Sequence, residues 1–322
     1  MVNKPMRGVI LDMDSLDPAS LDISALADMT NIDWHVHAAT APEHTAQRIV
    51  DAHIVLTNKV VLDAQHIANA SALEYIGVLA TGMNNVDHDA CRQRGITLTN
   101  VSGYGTPSVA QHTLLLMLML ATSVRDYQRD VSLGAWSRSP QFCLMDYPIS
   151  ELAGKTLLLV GYGTLGKAVA KLAHAFDMNV MLARRPGVHA SEYNESRVPL
   201  DEGLAQADFV SLHCALSAET EKLIDKTRLA LMRPSAFLIN TARGGLIDEP
   251  ALVEALKRGA LAGAAVDVLS QEPPDSTHIM LQEALPNLIV TPHIAWAARE
   301  SRQRLFDQAM QHVQHFISQR MA

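Results

Sequence analysis

Three ionisable residues stand just past apolar runs: Arg243 in "INTARGGLIDE", Glu272 in "VDVLSQEPP" and His293 in "IVTPHIAW". An arginine fork holds a carboxylate through two parallel hydrogen bonds. A histidine exchanges a proton near neutral pH, and a glutamate beside it orients the ring and favours its charged form. Arginine, glutamate and histidine are therefore a usable chemical set. Taken singly, each also has an ordinary structural reading. Arg243 could close a surface ion pair, Glu272 could be a loop acid ahead of Pro273 and Pro274, and His293 could be one of 14 histidines with a structural role.

A second group has a fixed spacing. In "LLLVGYGTLGKAVAKLAHAFDMNVMLARR", Gly161, Gly163 and Gly166 form G-x-G-x-x-G between an aliphatic run and an apolar-striped helical segment, and another aliphatic run follows. Gly161 permits the tight turn, Gly163 lets backbone approach a pyrophosphate, and Gly166 lets the helix press on the strand. Amides at the helix start, at Thr164 and Leu165, then face the phosphates. Three such glycines alone would suit an ordinary strand-to-helix turn; the full strand–helix–strand context points to a dinucleotide.

The second strand of such a unit ends beside the adenosine ribose, where NAD binders place an acid. Here that end carries Arg184 and Arg185, about twenty residues downstream. A guanidinium pairs with the extra phosphate of NADP, which an acid would repel. The expectation is a preference for NADP(H), with NAD(H) left open; the ordinary alternative is two solvated arginines.

These residues need elements to position them. Aliphatic runs alternate with helical periods from "GVILDMD" through "DWHVHA", "HIVLTN", "YIGVLATG" and "GITLTN", and again from "KTLLLVGYGTLG" through "DFVSLHC", "SAFLINTARG", "GAAVDVL" and "NLIVTPH". That rhythm predicts an α/β fold of two doubly wound parallel-sheet domains. Ligands of such sheets lie beyond the carboxyl ends of the strands, so Arg243, Glu272 and His293 are expected to converge there, in a cleft between domains. Between the two series, Thr106 and Pro107 open a long apolar helix expected to reach about Val131. The segment 132–148, "SLGAWSRSPQFCLMDYP", has aromatics but little period and reads as a loop that packs on something, such as a second subunit. One or two amphipathic helices follow His293.

Composition narrows the function classes. The chain has 322 residues, 48% of them apolar, which is enough for two cores. Its net charge of −8 is spread among mixed signs without a basic tract, which argues against nucleic acid and anionic membrane as partners. The run Leu114 to Ala121 is too short to span a bilayer and the opening residues lack a secretion signal, so the cytoplasm is the expected location. Cys91, Cys143 and Cys214 form neither a disulfide framework nor a zinc pattern. His35, His37, His44 and His53 lack ligand spacing with a carboxylate or cysteine, and no metal is expected.

Over nearly its full length the chain resembles the D-isomer-specific 2-hydroxyacid dehydrogenases, most of all the glycerate dehydrogenase, or hydroxypyruvate reductase, group. The motifs that carry the resemblance are "YIGVLATGMNNVD", "NVSGYGTPSVAQHT", "WSRSPQFCLMDYP", "ELAGKTLLLVGYGTLG", "DFVSLHC", "NTARGGLIDEPAL", "VDVLSQEPP" and "TPHIAWA", in that order. The resemblance implies that Arg243, Glu272 and His293 are the catalytic set. It implies a Rossmann-type NAD(P)-binding domain, residues 101–293, inserted into a flavodoxin-like substrate domain made of residues 1–100 and 294–322. Thr81, Gly82 and Met83 would meet the substrate together with Arg243 and His293. Cys214, Thr241, Ala242 and Asp267 would meet the cofactor, Asp267 at the nicotinamide carboxamide. The loop around Trp136 would lie in a homodimer contact.

The implied reaction is reduction of a small 2-oxoacid such as hydroxypyruvate. Arg243 clamps the carboxylate and polarises the keto oxygen, protonated His293 donates to that oxygen, and Glu272 keeps the imidazolium available. Reduction should slow as rising pH takes the proton from His293. Met83, Ala215, the pair Thr164 and Leu165, and Arg184 depart from the family pattern and bear on substrate and cofactor preference. Two other readings remain: a glyoxylate or broad 2-oxoacid reductase, and a dinucleotide-sensing regulator of the kind represented by the C-terminal-binding-protein corepressors, which resemble this family.

Overall fold

Largely apolar runs such as Ile54–Thr57 and Phe209–Leu212 become fully buried strands because both faces are covered at the centre of a parallel sheet, so successive residues can all be apolar. The computed structural model describes residues 5–185, 195–282 and 285–321. Backbone contacts divide the chain into two compact units, one of Met1–Gly105 with Ala297–Ala322 and one of Thr106–Trp296.

In the first unit, β1 (Met6–Ile10), β2 (Ile32–Val36), β3 (Ile54–Thr57), β4 (Tyr75–Val78) and β5 (Thr97–Asn100) form a parallel sheet in the order β2-β1-β3-β4-β5. That is the flavodoxin-like doubly wound order. Val9, Leu11, Val55, Ile76 and Val78 enter one core of this unit. The helix Arg299–Met321 belongs to the same unit, and Phe316 packs its ring 5.0 Å from that of Tyr75 on β4.

The second unit holds β6 (Thr156–Val160), β7 (Asn179–Leu182), β8 (Phe209–Leu212), β9 (Phe237–Asn240), β10 (Gly263–Val266) and β11 (Leu288–Val290). They pair in parallel in the order β11-β10-β9-β8-β6-β7. Alternate residues serve opposite faces, as a two-residue period requires. Leu158, Val160, Leu238, Ala264 and Val266 enter one core; Leu157, Leu159, Ile239 and Ala265 enter another. Strand order reverses between β6 and β8, and beyond this switch point dinucleotides bind in such sheets.

The apolar helix expected to run to Val131 is interrupted. It spans Thr106–Thr122, and Ser123 then turns left-handed at φ 49° before a second helix, Val124–Ser132. The Ser123 hydroxyl donates to the Pro148 carbonyl at 2.7 Å, which ties the break to the far end of the following loop. Among the described residues, no single helix is long and apolar enough to cross a membrane, and this pair, which passes that test only together, is bent by 65°.

Candidate active site

Strand β9 ends at Asn240, and the chain turns through Thr241 and Ala242 to Arg243. The turn is satisfied from within, as a buried amide side chain demands. Asn240 Oδ1 accepts from the Ala242 amide at 3.0 Å, and Asn240 Nδ2 donates to the Arg243 carbonyl at 2.8 Å. The Thr241 hydroxyl lies 3.0 Å from that of Thr113. Arg243 is exposed on extended backbone, its Nη1 donating to the Ala242 carbonyl at 2.7 Å. The next residue explains how this loop meets its neighbour. A Cβ on Gly244 would stand 1.9 Å from the Leu269 carbonyl carbon and 2.3 Å from the Ser270 nitrogen. Only glycine permits that approach, and it sets the Arg243 loop directly against the loop carrying Glu272.

Past β10, the Leu269 amide donates to Glu272 Oε1 at 2.9 Å, and Glu272 Oε2 lies 2.7 Å from His293 Nδ1. The imidazole is thereby oriented through Nδ1, which leaves Nε2 as the nitrogen that can act on a substrate. The side chains of His293 and Glu272 are 31% and 34% exposed, so a small molecule can reach them.

His293 itself sits at φ 54°, a region that residues other than glycine seldom enter. Its turn is held by a buried carboxylate. The His293 amide donates to the Asp267 carbonyl at 2.8 Å. The Asp267 carboxylate, 1% exposed, accepts from Thr291 Oγ1 at 2.5 Å and from the amides of Ile294 and Ala295 at 2.9 and 2.8 Å. His112, on the helix Thr106–Thr122, adds a contact of 3.1 Å between its Nε2 and Thr291 Oγ1. Burial holds His112 below the usual histidine range, and the Asp267 charge acts in the opposite direction. Any contact of Asp267 with a nicotinamide carboxamide would share oxygens already engaged by the turn.

The glycine loop follows β6. Gly161 has φ 104°, and a Cβ there would stand 2.6 Å from the His213 carbonyl group and 2.7 Å from the Cys214 amide. A Cβ on Gly166 would stand 2.2 Å from the Gly161 carbonyl oxygen. Both positions are closed to any side chain by backbone. Gly163, in contrast, has no described residue within 4 Å of a hypothetical Cβ, and it precedes the helix Thr164–Ala175, which no described side chain caps at that end. Open space in front of uncapped helical amides, Thr164 and Leu165 among the first, fits a pyrophosphate.

His213 closes the floor of this loop, its Nε2 2.9 Å from Ser211 Oγ, and burial pushes its imidazole down to about 4, so it is neutral at physiological pH. Burial raises the Cys214 thiol, while a backbone hydrogen bond and the Arg185 charge oppose that. Arg185 is exposed. Arg184 is half-buried, its amide donating to the Val198 carbonyl at 2.8 Å and its Nε out of solvent without a hydrogen-bond partner among the described residues. Pro186 and Gly187, which follow them, lie outside the described residues. Lys167 and Arg197 add two cations over the ring of Tyr162, 5.7 and 5.9 Å from its centroid.

Residues 114–295 match the family of the D-isomer specific 2-hydroxyacid dehydrogenase, NAD binding domain. The chain belongs to this family. It is 39% identical to a glycerate dehydrogenase of Methylorubrum extorquens over 96% of each chain, and 38% identical to a hydroxypyruvate reductase of Blautia hydrogenotrophica over 97% of each. A Thermus thermophilus protein of solved structure superposes with a TM-score of 0.79 at 34% identity, covering 95% of this chain and 94% of its own. Membership brings a nicotinamide dinucleotide and a small 2-hydroxyacid as the ligands of an oxidoreductase.

Of the residues singled out by sequence, the structure brings Glu272 and His293 into direct contact and packs the Arg243 loop on the Glu272 loop. Thr81, Gly82 and Met83 lie in the other unit, after β4. There the Thr81 hydroxyl donates to the Val101 carbonyl at 3.1 Å, Asn100 Nδ2 donates to the Thr81 carbonyl at 2.6 Å, and Met83 packs partly against that unit's core. Sequence reasoning missed the anchoring of the His293 turn by the Asp267 carboxylate and His112. It also missed Glu249, which touches the Glu272 loop. An acid in the first turn of a helix is expected on dipole grounds alone, so no signal set Glu249 apart.

Proposed function

We propose that this dehydrogenase reduces a small 2-oxoacid such as hydroxypyruvate, preferring NADP(H), with Arg243, Glu272 and His293 at its reacting centre. The 2.7 Å pairing of Glu272 with His293, on a loop packed against that of Arg243, is the observation that carries the reading. A bound reduced nicotinamide supplies hydride. Arg243 holds the substrate carboxylate and draws charge from the adjacent keto oxygen. His293, protonated, donates from Nε2 as that oxygen becomes an alkoxide, while Glu272 on Nδ1 stabilises the imidazolium and fixes the ring. In the oxidative direction the same nitrogen accepts a proton, so His293 must start neutral. Steady-state rates with hydroxypyruvate, glyoxylate, pyruvate and phenylpyruvate, each with NADPH and NADH, test substrate and cofactor together. Hydroxypyruvate with NADPH is expected to give the highest kcat/KM.

The preference for NADP(H) is supported by Arg184 at the end of β7, whose half-buried guanidinium keeps a donor without a partner among the described residues. Arg185, Lys167 and Arg197 raise the positive potential around it. Arg184→Asp is expected to lower the ratio of kcat/KM for NADPH over NADH by about 10- to 100-fold, the worth of one charged hydrogen bond. An unchanged ratio would remove Arg184 from the reading.

The exposed apolar side chains Leu133, Trp136, Phe142 and Met145 support a homodimer. Phe142 is 89% exposed, so Phe142→Asp leaves the fold intact. Sedimentation is expected to show a dimer for the wild-type chain and dissociation for this variant; a wild-type monomer contradicts the reading.

A further inference from the structure

Glu249 opens the helix Glu249–Lys257 and is 7% exposed, yet no chemical role has fallen to it. Its Oε1 accepts from the Ser270 amide at 2.8 Å and its Oε2 from the Ser270 hydroxyl at 2.5 Å. Oε2 also lies 3.3 Å from His278 Nε2, and both side chains of that pair are 8% exposed. Burying a carboxylate costs several kcal/mol unless donors replace the lost water, and these three, with the helix N-terminus, do so. Ser270 and His278 are the two ends of the segment that contains Glu272. One carboxylate therefore ties both ends of that loop to a rigid helix, next to the Leu269 amide that holds Glu272 Oε1 and the backbone contact with Gly244.

We infer that Glu249 is a positioning residue, holding Ser270 and His278 so that Glu272 meets His293 Nδ1. The inference rests on the reading of Glu272 and His293 as a working pair. Glu249 touches neither nitrogen of His293; it acts through the loop. Among the described residues, the charged and titratable groups in contact with the His293 turn are Glu272 from this loop, Asp267 after β10 and His112 from the helix Thr106–Thr122, and Arg243 stands on the loop packed beside Leu269. Of these, Glu272 alone is carried on the segment that Glu249 ties.

The test compares Glu249→Gln and Glu249→Asp in the full-length protein by reductive kcat, cofactor KM, thermal stability and NMR titration of the His293 imidazole. Glu249→Gln is expected to lower kcat by about 10- to 100-fold, as small misplacements of catalytic groups do, with cofactor KM little changed. It moves the His293 titration to lower pH, because Glu272 no longer lies close to Nδ1. Glu249→Asp, which keeps the charge, recovers part of both effects. A folded Glu249→Gln protein whose His293 titrates as in the wild type overturns the inference, even if its thermal stability falls. Should Glu249→Gln not fold, Ser270→Ala removes one donor and keeps the contact with His278; the same shift, smaller, is expected, and no shift overturns the inference. The catalytic reading fails separately, if His293→Asn retains reductase activity while Glu249→Gln still shifts the titration.

Discussion

Replacing His293 by asparagine lowers the reductive kcat/KM by about 100- to 10,000-fold, the range for loss of a positioned general acid. Asparagine is the informative substitution because the residue sits at φ 54°, where asparagine is tolerated better than alanine. The Asp267 carboxylate grips the turn through Thr291, Ile294 and Ala295 rather than through the imidazole, so the turn survives the change. On the proposed role, what the variant loses is the proton donor. If His293 is the proposed acid and base, the wild type is expected to lose reductive rate at high pH and oxidative rate at low pH, and both declines are expected to disappear in the variant. Rates of both directions against pH, in wild type and variant, check this. An unchanged kcat/KM would assign the proton elsewhere.

Arg243→Gln lowers kcat/KM by about 100- to 1,000-fold, as removal of a donor to a developing oxyanion does. Glutamine keeps length and a donor but loses the charge and the fork. Arg243→Lys recovers little, because an ammonium cannot hold a carboxylate and lean on the adjacent keto oxygen with one planar group. Both variants melt close to the wild type, since the side chain is exposed and its loop is held by Asn240 and Gly244. Kinetics with a 2-oxoacid beside thermal denaturation separate the two effects. A large fall in melting temperature with unchanged kcat/KM would make Arg243 structural.

The legible parts of the fold and site were those whose physical demand is local. Gly161, Gly163 and Gly166 answer a turn, a close approach and a helix contact within six residues, and buried parallel strands read as aliphatic runs. Arg243, Glu272 and His293 are legible because each follows such a run, where parallel sheets collect their ligands. The break at Ser123 was not legible. A serine inside an apolar period gives no warning, and the carbonyl that ties down its hydroxyl, that of Pro148, is 25 residues on. The tie from Glu249 to Ser270 spans 21 residues and the grip of Asp267 on Ala295 spans 28, so both arise from adjacent strand-end loops and not from any spacing. For the same reason the contact between Gly244 and Leu269 shows only in three dimensions, although "RGG" invites the question.

Isotope transfer decides the matter. The protein is given hydroxypyruvate and NADPH deuterated at the hydride position, and deuterium at carbon 2 of the hydroxyacid is followed in wild type and in His293→Asn. Deuterium is expected at that carbon in step with cofactor oxidation by the wild type, with transfer slowed at least about 100-fold in the variant. Product without deuterium, or equal transfer by the two proteins, contradicts hydride reduction completed by a proton from His293.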